Sequence, residues 1–191
     1  MGTGVDGAVR LRAACGEEIN MIWWVILIEA GVFAGIFTVI VLVAAHGDRK
    51  YSAASIHNYP PDIREAYFKT HDRIDVSYSS ANVILTKSFG VLLFCGILLV
   101  CSLLAGVKTF WDGFFLAFGL MAWIGMYDTF FLDWVLFANL KCFRLEGTEH
   151  MDKAYRQKWF HLKGMLFPGL VFALIPSLVV GLLTMLIGGR Q

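Results

Sequence analysis

The sequence predicts an all-α integral membrane protein with four transmembrane helices and two amphipathic segments in its long loops. Composition is the first reason: 58% of the 191 residues are hydrophobic, 16% are charged, and the mean hydropathy is +0.65. A soluble domain runs at roughly 45–50% apolar and about 25% charged. Four apolar runs reach the ~20 residues that a helix needs to cross a bilayer. The period-two alternation of a membrane β-barrel is absent, so helices alone can satisfy the backbone in lipid. These figures exclude an ordinary soluble domain and a disordered regulator, and a net charge of +1 argues against a nucleic-acid binder.

The first span is Met21–His46, with Glu29 as its only acid. The second, Ser88–Val107, carries no charge. The third, Thr109–Leu140, crosses over about 111–140 and contains Asp112, Asp128 and Asp133. The fourth, Gly164–Gly189, is uncharged, and Pro168 and Pro176 are expected to kink it or mark its start. Residues 21–191 thus form one membrane domain. Residues 1–20 lack the apolar centre of a signal peptide and carry Glu17 and Glu18, and Asp6 breaks a myristoylation pattern. The codons of Gly16-Glu17-Glu18 would resemble a bacterial ribosome-binding site ahead of Met21, which makes Met21 an alternative start.

Of the 16 Lys and Arg, six lie between spans one and two, and six between span three and the start of span four. The positive-inside rule therefore places both long loops in the cytoplasm and both termini outside, in an inner membrane. Each loop holds a helical pattern. Pro60-Pro61-Asp62 opens one, with Ile63, Ala66, Tyr67 and Ile74 as its apolar stripe. In the other, Gly147 ends the preceding helix, Thr148 is the expected N-cap, and Met151, Tyr155, Trp159 and Leu162 form the stripe. Both are expected to lie on the inner leaflet.

Acids inside a membrane are costly, about 2.5–3.5 kcal/mol each on insertion scales, and default to functional readings. At about 1.5 Å per residue, Glu29 lies roughly 12 Å below the outer end of span one, Asp128 roughly 24 Å beyond Asp112, and Asp133 near the inner interface. Asp128 and Asp133, five residues apart, should diverge by about 140° on an α-helix. Asp128, Val135 and Asn139 share a face. The expected polar path therefore runs from Glu29 through Asp128 to Asn139, with Asp133 paired to a basic loop residue or snorkelling. At the inner mouth, Asp133, Trp134, His57, His150 and Glu149 are the candidates, and His57-Asn58-Tyr59-Pro60 is a polar turn close to the membrane. The five histidines show no metal-binding spacing, and their expected role is that of solvated interfacial groups. Cys15, Cys95, Cys101 and Cys142 form no CxxC. Gly31 and Gly35 make a GxxxG that could seat a neighbouring helix or a second copy. No cofactor motif occurs.

Thr109-Phe110-Trp111-Asp112-Gly113-Phe114, the pair Asp133-Trp134 and the run Gly147-Thr148-Glu149-His150-Met151 resemble a group of small, mostly uncharacterised bacterial membrane proteins. That group shares a TFWxGF start, an Asp-Trp pair late in a long helix and a PGTED-like loop. Here the loop reads Glu146-Gly147-Thr148-Glu149-His150, so the Pro and the Asp are replaced. The resemblance covers roughly 109–151. It implies a bacterial four-helix membrane fold and no activity. Three functions are then open: an ion- or solute-handling bundle that uses Glu29 and Asp128, an enzyme acting on a lipid or lipophile at the inner leaflet, and an accessory subunit of a membrane complex. The expected partners are the lipid bilayer and further copies or subunits, not nucleic acid.

Overall fold

A long apolar run propagates helix, and a glycine or proline ends it only where the backbone must leave the helical region. The computed structural model, which describes residues 3–46, 56–72 and 80–188, follows that rule. Helix α1 runs Thr3–His46 and ends where His46 turns its Nδ1 onto the Leu42 carbonyl at 2.8 Å. After a single turn at Ile56–Asn58, Pro60 and Pro61 open α2, Pro61–Tyr67. Ile74 of the expected stripe lies outside the described residues. Helix α3, Ser80–Leu104, stops at Gly106, whose φ of +74° only glycine adopts readily.

Helix α4 begins at Phe110. Thr109 caps it, accepting from the Asp112 backbone N–H at 3.2 Å and donating to the Asp112 carboxylate at 2.6 Å. Asp112 is therefore a cap partner rather than a buried acid. At Asp128 the α-helical α4, Phe110–Tyr127, passes into a wider π-helical segment, Asp128–Phe137. The second loop forms two short helices, α5 (Asp152–Tyr155) and α6 (Lys158–Gly164). A break follows at Met165–Gly169, where Phe167 is extended and precedes Pro168. Helix α7, Leu170–Gly188, then runs on through Pro176. Among the described residues three helical stretches are long and apolar enough to cross a membrane, Trp23–His46, Phe110–Phe137 and Asp152–Gly188, and Val91–Leu104 is a shorter apolar one. Their outer faces expose large apolar side chains, among them Ile28, Leu92, Leu104 and Phe172, as a lipid-facing surface does.

Small residues bring α4 and α7 together. A Cβ on Gly113 would collide with the Thr184 side chain, and one on Gly181 would come within 2.8 Å of the Phe110 carbonyl. Such close approach is how helices pack where lipid supplies no hydrophobic drive. Leu98 and Cys101 of α3 join Ala117, Leu120 and Val180 in a tightly packed cluster at this end. The expected GxxxG plays no such part within the chain, for nothing lies within 4 Å of a Cβ built on Gly31 or Gly35. Helix α1 instead meets α4 through a 2.8 Å bond between Thr38 and Tyr127 and through Trp123, which donates to the Ala30 carbonyl.

The loops depart most from expectation. Much of their apolar stripes is buried against the rest of the loops. Ile63 and Tyr67 of α2 join Tyr59, Phe143, Leu145 and Tyr155 in one core over the ends of α1 and α4. Thr148 is not an N-cap. Its hydroxyl donates to the Leu145 carbonyl and shares a 2.7 Å bond with the Tyr155 hydroxyl, and the helix starts only at Asp152. Arg144 locks this cap, donating to the Ala138 carbonyl at 2.9 Å, pairing with Asp152 at 3.0 Å and lying over the Tyr155 ring. Of the second stripe, Trp159 alone stays strongly exposed, at 76%.

Candidate functional site

A cavity of about 890 Å³ opens between α1, the π-helical end of α4, the break before α7 and the His57-Asn58-Tyr59 turn. Its walls are mostly apolar, from Phe37 and Val41 to Leu132, Phe160 and Leu170. Its polar lining includes Asp128, Thr129, Asp133, His57, Asn58, His161 and Lys163. The cluster around Ala117 and Val180 packs the same helices further toward the start of α4, and Met121 belongs to both.

The local helix geometry brings Asp128 and Asp133 to one site. On an α-helix an offset of five turns the second acid away from the first. In a π-helix the hydrogen bond runs from i to i+5, so five residues make roughly one turn. Ala138 shows that wider pattern, its N–H reaching back to the Asp133 carbonyl. The expectation that the two acids diverge therefore fails for a backbone reason, and both line the same cavity.

Asp133 does not snorkel. Its Oδ2 lies 2.8 Å from Nδ1 of His161, and the His161 side chain is only 7% exposed. With Nδ1 donating to Asp133, the other ring nitrogen is left with no hydrogen-bond partner and is buried. This is the arrangement in which a carboxylate orients an imidazole and steadies its positive charge while Nε2 exchanges a proton. Asp128 stands within electrostatic reach of both groups. His161 is the residue that sequence reasoning missed as a site member, because an interfacial histidine reads as solvated. Its position on a short helix facing the late acid of α4 depends on the break at Met165–Gly169.

The remaining predicted residues are scattered. His57 lines the cavity mouth. Glu29 does not: it is 9% exposed on α1 and lies against the Cys101 thiol of α3. Asn139 is exposed, donating to the Val135 carbonyl and accepting from Arg156. The path from Glu29 through Asp128 to Asn139 is thus not assembled within one chain. Glu149 and His150 sit exposed in a turn and do not line the cavity. Trp134 faces Phe130 edge-on at 4.8 Å, with Lys158 over its ring at 4.9 Å. Among the described residues no group of three His, Cys, Asp or Glu is placed to hold a metal.

Tyr59 and Tyr155 roof the loop-side core. Burial pushes both phenols up from their ordinary value; for Tyr155, hydrogen bonds with Thr148 and the Leu145 N–H and the Arg144 charge pull the other way. No family model, curated protein or solved structure matches this chain.

Proposed function

We propose that this chain is a bacterial inner-membrane protein of four spans, similar to the small TFWxGF membrane proteins, whose cavity takes a lipophilic or lipid-like molecule from the cytoplasmic leaflet and acts on it by proton transfer. In this reading both termini lie outside and the loop-side cap is cytoplasmic. The observation that supports it is the Asp133–His161 pair, held at 2.8 Å at the wall of a largely apolar cavity. Convergent polar groups in an apolar pocket are the usual form of a small-molecule site. Asp133 would orient the ring, His161 Nε2 would take or give the proton, and Asp128 would hold the opposite protonation state.

The test is native mass spectrometry of the detergent-solubilised chain beside a cavity-filled variant, Ala173→Phe; Ala173 is 2% exposed and lines the cavity. The wild type is expected to carry a lipophile that the variant releases. Reconstitution in phosphatidylethanolamine–phosphatidylglycerol vesicles, followed by lipid extraction, then reads conversion, which His161→Gln should stop while the lipophile stays bound. A chain that carries no lipophile and alters no lipid refutes the reading.

A second reading, ion or small-solute handling, draws on Glu29, a buried acid with the Cys101 thiol beside it and no basic partner among the described residues. A pore would then form between copies, with the open Gly31–Gly35 face of α1 as a contact. Flux in vesicles that is unchanged by Glu29→Gln and Asp128→Asn refutes it.

A further inference from the structure

On the other side of the Asp133–His161 pair lies a second, small pocket of about 70 Å³. Most of its lining residues carry a polar or charged group, Asp133, Trp134, Asn139, Arg156, Lys158 and His161, although apolar atoms make up the larger part of its wall, and Ala138 and Tyr155 close it. Two of these residues carry a buried nitrogen with no hydrogen-bond partner, Trp134 Nε1 and His161 Nε2. The indole nitrogen is donor-only, so it needs an acceptor, and a buried donor left unmade is expensive. Arg156 and Lys158 add two positive charges against the one carboxylate of Asp133, which is already held by His161. The site therefore carries an excess of donors and of positive charge, and its volume exceeds several-fold the ~10–15 Å³ that a single water needs.

We propose that this pocket binds a phosphate-type anion, either a phospholipid headgroup or free phosphate. Trp134 Nε1 donates to one oxygen, Lys158 and Arg156 supply charge from the rim, and the His161 ring closes the site from within. Arg and Lys are the residues that chemistry of this kind employs. The inference goes beyond the cavity reading and rests on different residues, since only Asp133 and His161 are common to both.

The experiment uses the full chain. Thermal midpoints are read in detergent with inorganic phosphate against chloride at equal ionic strength. They are read again in phosphatidylcholine nanodiscs doped with phosphatidic acid or with diacylglycerol. Phosphate, phosphatidic acid or both should raise the midpoint where chloride and diacylglycerol do not. Stabilisation by phosphatidic acid alone assigns the site to a lipid headgroup, and stabilisation by inorganic phosphate assigns it to the free ion. Trp134→Phe keeps the ring against Phe130 but removes the donor, and should weaken binding by ~10-fold or more. Lys158→Gln changes an exposed side chain and serves if the first variant does not fold. The proposal fails if no phosphate probe stabilises the chain beyond chloride, which leaves a pocket for water only, or if both variants bind as the wild type does. Because neither Trp134 nor Lys158 lines the large cavity, a loss confined to these variants leaves the lipophile reading untouched.

Discussion

Replacing Asp133 with Ala removes the carboxylate that holds His161. The bond is 2.8 Å long and its histidine is 7% exposed, while the aspartate is 24% exposed. So little solvent access keeps the interaction out of the screened surface regime. Hydrogen bonds to charged groups contribute about 1.5–3 kcal/mol, and a buried donor left behind adds to the loss. Asp133→Ala should therefore destabilise the folded chain by about 2–3 kcal/mol, and Asp133→Asn by less, because its amide oxygen still accepts from Nδ1. The assay is equilibrium unfolding in mixed micelles of the single variants, of His161→Leu and of the double variant. A cycle isolates the pair, and contacting residues couple by about 0.5–3 kcal/mol. A coupling near zero, or an Asp133→Ala change within ~0.5 kcal/mol of wild type, would refute the claim that this pair organises the site.

Three further outcomes follow from the packing. Gly181→Ala places a Cβ 2.8 Å from the Phe110 carbonyl and should cost about 1–3 kcal/mol by forcing α4 from α7, whereas Gly31→Ala with Gly35→Ala, which meets nothing within 4 Å, should leave the monomer as stable or up to ~2 kcal/mol more so from helix propensity; a shift in oligomeric state on gel filtration would identify that face as a contact between copies. Tyr59→Phe strips a buried bond to the Phe143 carbonyl, 3.1 Å long, and should cost about 1–2 kcal/mol in chemical denaturation. The phenols of Tyr59 and Tyr155 have folded values raised above the unfolded 10.0, so the unfolded chain gives up its protons first. Their contribution is therefore full below about pH 10 and falls as pH rises through the folded values; a thermal midpoint that does not fall above pH 10, or falls equally in Tyr59→Phe, would contradict this.

How far the site was readable varies residue by residue. Asp128, Asp133 and His57 stood out from composition alone, because acids in an apolar run and a polar turn beside one are improbable without a reason. Their meeting did not, since an ideal helix separates Asp128 from Asp133, and only the wider turn at Asp128–Phe137 brings them round. Glu29 stood out equally, yet it sits against α3 rather than in the cavity, because depth along a helix says nothing of which neighbour a face will meet. His161 gave no signal of its own, and its burial follows from its short helix packing on Asp133 and Phe137 at the end of α4.

The sequence alone determined the helical character of the chain and the apolar runs long enough to cross a membrane. That outcome needs only apolar length and the requirement that each backbone group be satisfied within its own segment. The Pro60-Pro61 start of α2 and the stop at Gly106 were equally local, set by ring geometry and a positive φ. Tertiary structure decided which glycines bring helices together, Gly113 and Gly181 and not Gly31 and Gly35, and that the loop stripes close over the bundle as a core. It also decided that Asp133 meets His161. Each of these joins residues distant in the chain, and such contacts depend on how whole helices seat against one another, which no local pattern encodes.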